Sequence, residues 1–232
     1  MPRTVAAFER LLRELEADAL FILGDLFEVW VGDDALNQPF EAACVAALRA
    51  AARRMPVHVM RGNRDFLLGQ RFFEASHCVD LPDPTLVEAF GGRVLLSHGD
   101  ALCLADEAYQ AFRRQVREPE WQSAFLARPL VERMALAQQM RGVSRAHQAG
   151  IAPSDYADVD ADLATQWLAA AQTKVLVHGH THRPGTQACP QGWLRHVLCD
   201  WDLDHGGQDR AEVLLWSAQG FARRRWSVAG WC

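Results

Sequence analysis

Five side chains with metal-binding chemistry stand directly behind short apolar runs. Asp25 follows the run 19–23 in Gly24-Asp25-Leu26-Phe27-Glu28, and Asn63 follows 57–60 in Gly62-Asn63-Arg64-Asp65. His98 follows 94–97 in His98-Gly99-Asp100, while His180 and His182 follow 175–177 in His178-Gly179-His180-Thr181-His182. Imidazoles with a carboxylate and an amide oxygen suit borderline or hard divalent ions such as manganese, iron or zinc. No cysteine belongs to the set, which argues against a structural zinc site. Asp25 has two oxygens with which to bridge two ions. His180 and His182 alternate by two in extended backbone, and kinked geometry is expected to let both approach neighbouring ions. Two metals about 3.5–4 Å apart form a clamp suited to phosphoester hydrolysis. Arg64 is placed to supply positive charge to the departing group. Taken singly, Gly-Asp and Gly-Asn are ordinary turns and His-x-His an ordinary strand surface. Four such clusters in order, each behind an apolar run, read as one metal site.

The elements that must position them alternate in type. An amphipathic helix opens the chain, with Thr4 as its expected cap and Val5, Phe8, Leu11, Leu12 and Leu15 on one face. Apolar strands follow at 19–23, 57–60, 94–97 and 175–177, with a second helix at 40–54. Further strands are expected at 197–198, 213–216 and 225–228. The order predicts an α/β layered core, and in such sheets ligands bind beyond the carboxyl ends of the strands. Between the third and fourth strands, about 105–171 is helical and too long for an ordinary connection, so it reads as a cap insertion in a single domain spanning 1–232. From 113 to 145 it carries seven arginines against Glu118, Glu120 and Glu132, together with Trp121, Phe125, Leu126, Leu130, Val131, Met134 and Leu136.

Composition narrows the class. The 232 residues are 50% hydrophobic and 23% charged, which is globular and leaves ample material for a core. A net charge of −5 gives no global case for a nucleic-acid partner. No apolar run approaches the roughly 18–20 residues of a membrane span, and no signal peptide is expected. The six cysteines form no Cys-x-x-Cys pair and read as reduced thiols.

Gly24-Asp25-x-x-Glu28, Gly62-Asn63-Arg64-Asp65, His98-Gly99-Asp100 and Gly179-His180-Thr181-His182 together resemble the calcineurin-like metallophosphoesterase superfamily. Arg64, where most of that superfamily has histidine, and the flanking residues resemble the branch that hydrolyses UDP-2,3-diacylglucosamine to lipid X and UMP in lipid A biosynthesis. The resemblance spans about residues 4–184. It implies a β-sandwich flanked by helices, and a Mn-dependent pyrophosphatase acting at the α-phosphorus. It further implies that Asp25 bridges two Mn ions, that Asn63, His98 and His180 complete one site, and that His182 belongs to the other. Asn63, Arg64 and His180 would contact substrate, and Asp106 and Ser144 would hold the sugar headgroup. The insertion would house the acyl chains, and its basic, apolar face would dock peripherally on the cytoplasmic face of the bacterial inner membrane. No obligate protein partner is evident.

Two departures bear on these expectations. The family opens with a strand ending in Asp-x-His, which supplies two ligands to one metal. Asp18, the first aspartate here, has Leu20 two residues on. One metal site would therefore be incomplete, and the expectation is a start assigned too far downstream, or a truncation, with a degenerate protein as the alternative. Activity of the 232-residue chain is left open. In 145–153 the family's Asn and Lys are missing, with Gln148 the nearest amide. Two other functions remain open at this point. One is a phosphodiesterase or nucleotidase with a soluble substrate, and the other is a non-catalytic scaffold.

Overall fold

The computed structural model describes residues 1–149, 157–205 and 208–231. Helix α1 (Pro2–Glu14) leads into β1 (Leu20–Leu23), α2 (Pro39–Ala52), β2 (Val57–Met60), α3 (Gln70–Ser76) and β3 (Val79–Leu81). The hairpin β4 (Thr85–Ala89) and β5 (Gly92–Ser97) follows. Four helices intervene: α4 (Glu107–Arg117), α5 (Pro119–Leu126), α6 (Leu130–Ala149) and α7 (Ala161–Ala170). The chain closes with β6 (Val175–His178), β7 (Gly185–Ala188), β8 (Leu194–Val197), β9 (Glu212–Ser217), β10 (Gly220–Ser227) and β11 (Gly230–Trp231). Thr4 does not cap α1; Met1 is its N-cap. The Thr4 hydroxyl instead donates to Asp204 and accepts from Leu203 N–H, tying the first turn to the loop before β9.

Strands β1, β2 and β3 pair in parallel, and β4-β5-β6-β8-β7 form a mixed sheet in which β5 and β6 run parallel. The two-residue period of a strand divides its side chains between two cores. Phe21, Leu23 and Met60 face Val94, Leu96 and Val177 between the sheets. The alternate residues Leu20, Ile22, Val57 and Val59 pack outward against α1, α2 and α3. On the far side, Leu95 and Leu176 meet Ala164 and Leu168 of α7. The result is helix, sheet, sheet, helix. This layering brings β1 and β2 from one sheet, and β5 and β6 from the other, to a common rim. No helix among the described residues is long and apolar enough to cross a membrane.

Candidate metal centre

Three of the four loops leave their strands through uncommon backbone. Gly24 (φ 86°) and Asp25 (φ 54°) turn the chain off β1, Gly99 (φ 108°) off β5, and His180 (φ 62°) and His182 (φ 52°) lie beyond β6. Left-handed backbone at a non-glycine residue costs on the order of 1–3 kcal/mol and concentrates at functional sites. Positive φ at His180 and His182 kinks this stretch, and Thr181 N–H donates to Gly179 O at 2.7 Å within it. Glycine is required where the loops touch: a Cβ on Gly24 would lie 2.6 Å from Gly62 backbone and from His98 Nδ1.

Asn63 is the focus. Its Oδ1 lies 3.0 Å from His98 Nε2 and 2.9 Å from His180 Nδ1. Asp25 Oδ1 lies 3.8 Å from His98 Nε2 and is held by Arg64 N–H at 2.9 Å. The His98 ring is buried, and its Nδ1–H donates to Leu23 O at 2.8 Å, which leaves the lone pair on Nε2. Nε2 accepts from Asn63 N–H at 3.3 Å and also faces the Asn63 amide oxygen, so two acceptor atoms stand side by side. Burial pulls the His98 pKa down, but the Asp25 and Asp100 carboxylates outweigh it and the net direction is up. Burial and the charge of His98 push His180 down to about 4. Asp25, His98, His180 and the Asn63 oxygen thus stand together as nitrogen and oxygen donors. Such a donor set fits a divalent ion of the manganese, iron or zinc kind.

The other expected residues divide. Arg64 reaches Asp25 Oδ2 at 3.5 Å and Glu28 at 2.8 Å, at the edge of the cluster and partly exposed. His182 Nδ1 lies 3.6 Å from Asp200, which also binds Arg210 at 2.9 Å. Among the described residues, no three of His, Cys, Asp or Glu are grouped to hold a metal by themselves, so the cluster depends on Asn63. Asp106 is the N-cap of α4, accepting from Tyr109 N–H at 2.9 Å. The side chains of Ser144 and Gln148 lie outside the described residues.

Three supports carried no role in the sequence reading. Asp65 is fully buried and accepts N–H bonds from Asp25, Leu26, Phe27 and Gly62, locking the β1 and β2 loops together. Burial and the charge of Asp25 push its carboxyl up to about 6. Asp100 ties the β5 loop to α4 through Tyr109 and Arg113. His178, buried at the end of β6, donates from Nδ1 to Gly179 O at 2.8 Å and accepts at Nε2 from Arg195 at 2.9 Å. Arg195 in turn grips Asp158 just before α7. Asp65 and Asp100 belong to the quoted motifs, so their positions were visible but their partners were not.

The sequence matches the calcineurin-like phosphoesterase family over residues 1–184. It is 50% identical over 190 residues to the UDP-2,3-diacylglucosamine hydrolase of Chromobacterium violaceum, covering 82% of this chain and 78% of that one. The protein of the same name from Bordetella pertussis is 44% identical over 227 residues, covering 94% and 87%. That from Ralstonia nicotianae is 48% identical over 227 residues, covering 92% and 83%.

Proposed function

This chain belongs to the calcineurin-like phosphoesterase family, whose members use divalent metal, and from that premise we propose that it hydrolyses UDP-2,3-diacylglucosamine to 2,3-diacylglucosamine 1-phosphate and UMP, in lipid A biosynthesis. The observation that carries the reading is the convergence of His98 and His180 on the Asn63 oxygen, with Asp25 and Arg64 alongside, in a chain close to three hydrolases of that name.

Asp25, Asn63, His98 and His180 would hold the ion, and manganese is the metal we assign. Bound there, it supplies an acidified water and a counter-charge for the phosphoryl oxygens. Hydrolysis joins the water oxygen to the α-phosphorus and breaks that atom's bond to the bridging oxygen, which leaves with the glucosamine phosphate. The chain's own residues orient this event. Arg64, tethered between Asp25 and Glu28, presents its guanidinium to the pyrophosphate. The Leu23 carbonyl keeps the His98 lone pair turned toward the reacting group.

The insertion supports a lipid substrate. Trp121, Ala124, Phe125, Leu136 and Met140 line a cavity of about 270 Å³ with Arg128 at its wall, which we assign to acyl chain. Leu126, Val131 and Met134 are exposed apolar residues on the same helices. With the neighbouring arginines they make the surface we assign to peripheral docking on the cytoplasmic face of the inner membrane. Leu130, grouped with these in the sequence, instead packs against the core beside Trp121.

The test is UMP release from UDP-2,3-diacylglucosamine by the 232-residue chain, with and without Mn. Mn-dependent release is expected, and its absence from folded, metal-loaded protein would sink the assignment. The paired substitutions Leu126→Glu and Val131→Glu are expected to weaken turnover of vesicle-borne substrate by about tenfold or more. Unchanged turnover would favour a soluble substrate.

A further inference from the structure

We propose that Asp100 is a positioning residue that fixes helix α4 against three of the ligand loops, so that substrate held under the insertion lies over Asn63, His98 and His180. The inference deepens the proposed function and rests on it for the identity of the substrate. Asp100 stands two residues after His98, and its side chain is fully buried. Among the described residues, every side chain bonded to it comes from α4. Its Oδ2 accepts from the Tyr109 hydroxyl at 2.7 Å, Arg113 Nε at 2.8 Å and Arg117 Nη2 at 3.5 Å. Its main-chain oxygen accepts from Gln110 Nε2 at 2.7 Å.

Tyr109, Arg113 and Arg117 recur every four residues and so form one stripe of the helix. The same stripe reaches the other loops. The Tyr109 ring lies 5.6 Å from the His180 ring, centre to centre. Arg117 Nη2 donates to Gly62 O at 3.4 Å, immediately before Asn63. One carboxylate thus sets a single helix against the β2, β5 and β6 loops at once.

A purely structural ion pair is the competing account, and buried ion pairs are often no more than that. Two observations favour positioning. On α4 only Gln110 and Val116 are buried, so apolar packing holds the helix weakly. The charged contacts run to residues adjoining the ligands rather than to the sandwich core. Without the negative charge, two guanidiniums are left to repel each other and α4 shifts. That shift weakens the hold on the substrate. Because α4 opens the insertion, the loss falls on binding remote from phosphorus, which raises KM and leaves kcat.

The experiment compares the full chain with Asp100→Asn and with Tyr109→Phe, which removes one hydroxyl and keeps the ring beside His180. KM and kcat for UMP release from UDP-2,3-diacylglucosamine are measured with Mn, together with bound Mn and amide exchange over 107–117. In Asp100→Asn, KM is expected to rise about tenfold or more with kcat within about threefold. Bound Mn should be unchanged, and protection should fall in α4 while it persists in β5. Tyr109→Phe should move KM the same way by less. A structural role alone would lower the active fraction, so kcat would fall at unchanged KM, and that result overturns the proposal. If the unaltered chain releases no UMP, the substrate reading fails and amide exchange decides the rest: unchanged α4 protection in Asp100→Asn overturns the anchor.

Discussion

Around Asn63 the side chains are placed by backbone, whereas between β5 and β6 the helices are placed by arginines. The ligand loops leave four short strands, and main-chain bonds knit them together: Gly179 N–H to His98 O, Asn63 N–H toward His98 Nε2, and four amides onto Asp65. The insertion is joined to the same rim by charged side chains. Arg113 and Arg117 meet Asp100, Arg133 meets Asp34 and the Val31 carbonyl, and Arg195 meets Asp158. A rigid rim with a charge-fastened cover separates two tasks. Chemistry requires ligands held to fractions of an ångström, while a lipid must enter and leave.

The comparison predicts that the rim loses function without losing its fold. His98→Gln keeps much of the side-chain volume but removes the imidazole donors. Its kcat/KM for UMP release should fall by more than about 100-fold, beyond the range typical for a partner one layer out from a metal. Thermal unfolding should shift only slightly. A large drop in Tm would show that the rim is held by this ring rather than by its backbone.

Gly62→Ala attacks the backbone itself. A Cβ there would lie 2.2 Å from Asp25 Oδ1 and 2.3 Å from Asp25 N, and Asp25 is already at φ 54°. Overpacking of this kind costs roughly 1–3 kcal/mol, or several degrees of Tm in a chain of this size. Calorimetry should show that loss together with loss of bound metal. Retention of both would mean the loops have slack.

On the cover, the corresponding probe is pH. Burial pushes the Asp158 carboxyl up, but the bonds from Arg195 and the charge of Arg183 outweigh it, and the net pKa is lowered. A carboxyl depressed in the folded state stabilises above its unfolded value of about 3.9, and that stability is lost as pH falls through the folded value. Asp158→Asn should therefore lower the urea midpoint at pH 7, and the gap from the unaltered chain should close below about pH 4. A gap independent of pH would assign the Asp158 contribution to packing.

Legibility in the sequence follows the same division. Val57–Met60 reads residue for residue, because Val57, Val59 and Met60 are buried between two cores and only His58 interrupts the apolar run. Strand β3, three residues long with two exposed, and β4, with Glu88 at its exposed position, carry too little pattern to stand out. Asp25, Asn63, His98 and His180 were legible because strand ends in such sheets converge. Which residues carry the kink beyond β6 was not, since positive φ at two histidines has no compositional signal. Nor were the Asp100 and Asp158 contacts. Their partners lie on α4, on β8 and, for Arg183, in the loop after β6, and which carboxylate meets which arginine is decided only by packing.

The smallest effect tests the cover at an exposed position of α6. Gly142 lies within α6 and is exposed, and a Cβ built on it meets no described atom within 4 Å. In a helix interior glycine is less favourable than alanine by roughly 0.8–1 kcal/mol, because it surrenders more backbone freedom on folding. Gly142→Ala should therefore raise Tm by about 2–4 °C if α6 melts with the rest of the chain. The same substitution at Gly62 works in the opposite direction, so the pair separates backbone that is crowded from backbone that is merely uncommitted. If Gly142→Ala leaves Tm unchanged but raises helix content at lower temperature, α6 unfolds ahead of the sandwich. The cover would then be a separate cooperative unit fastened to the rim by its charges.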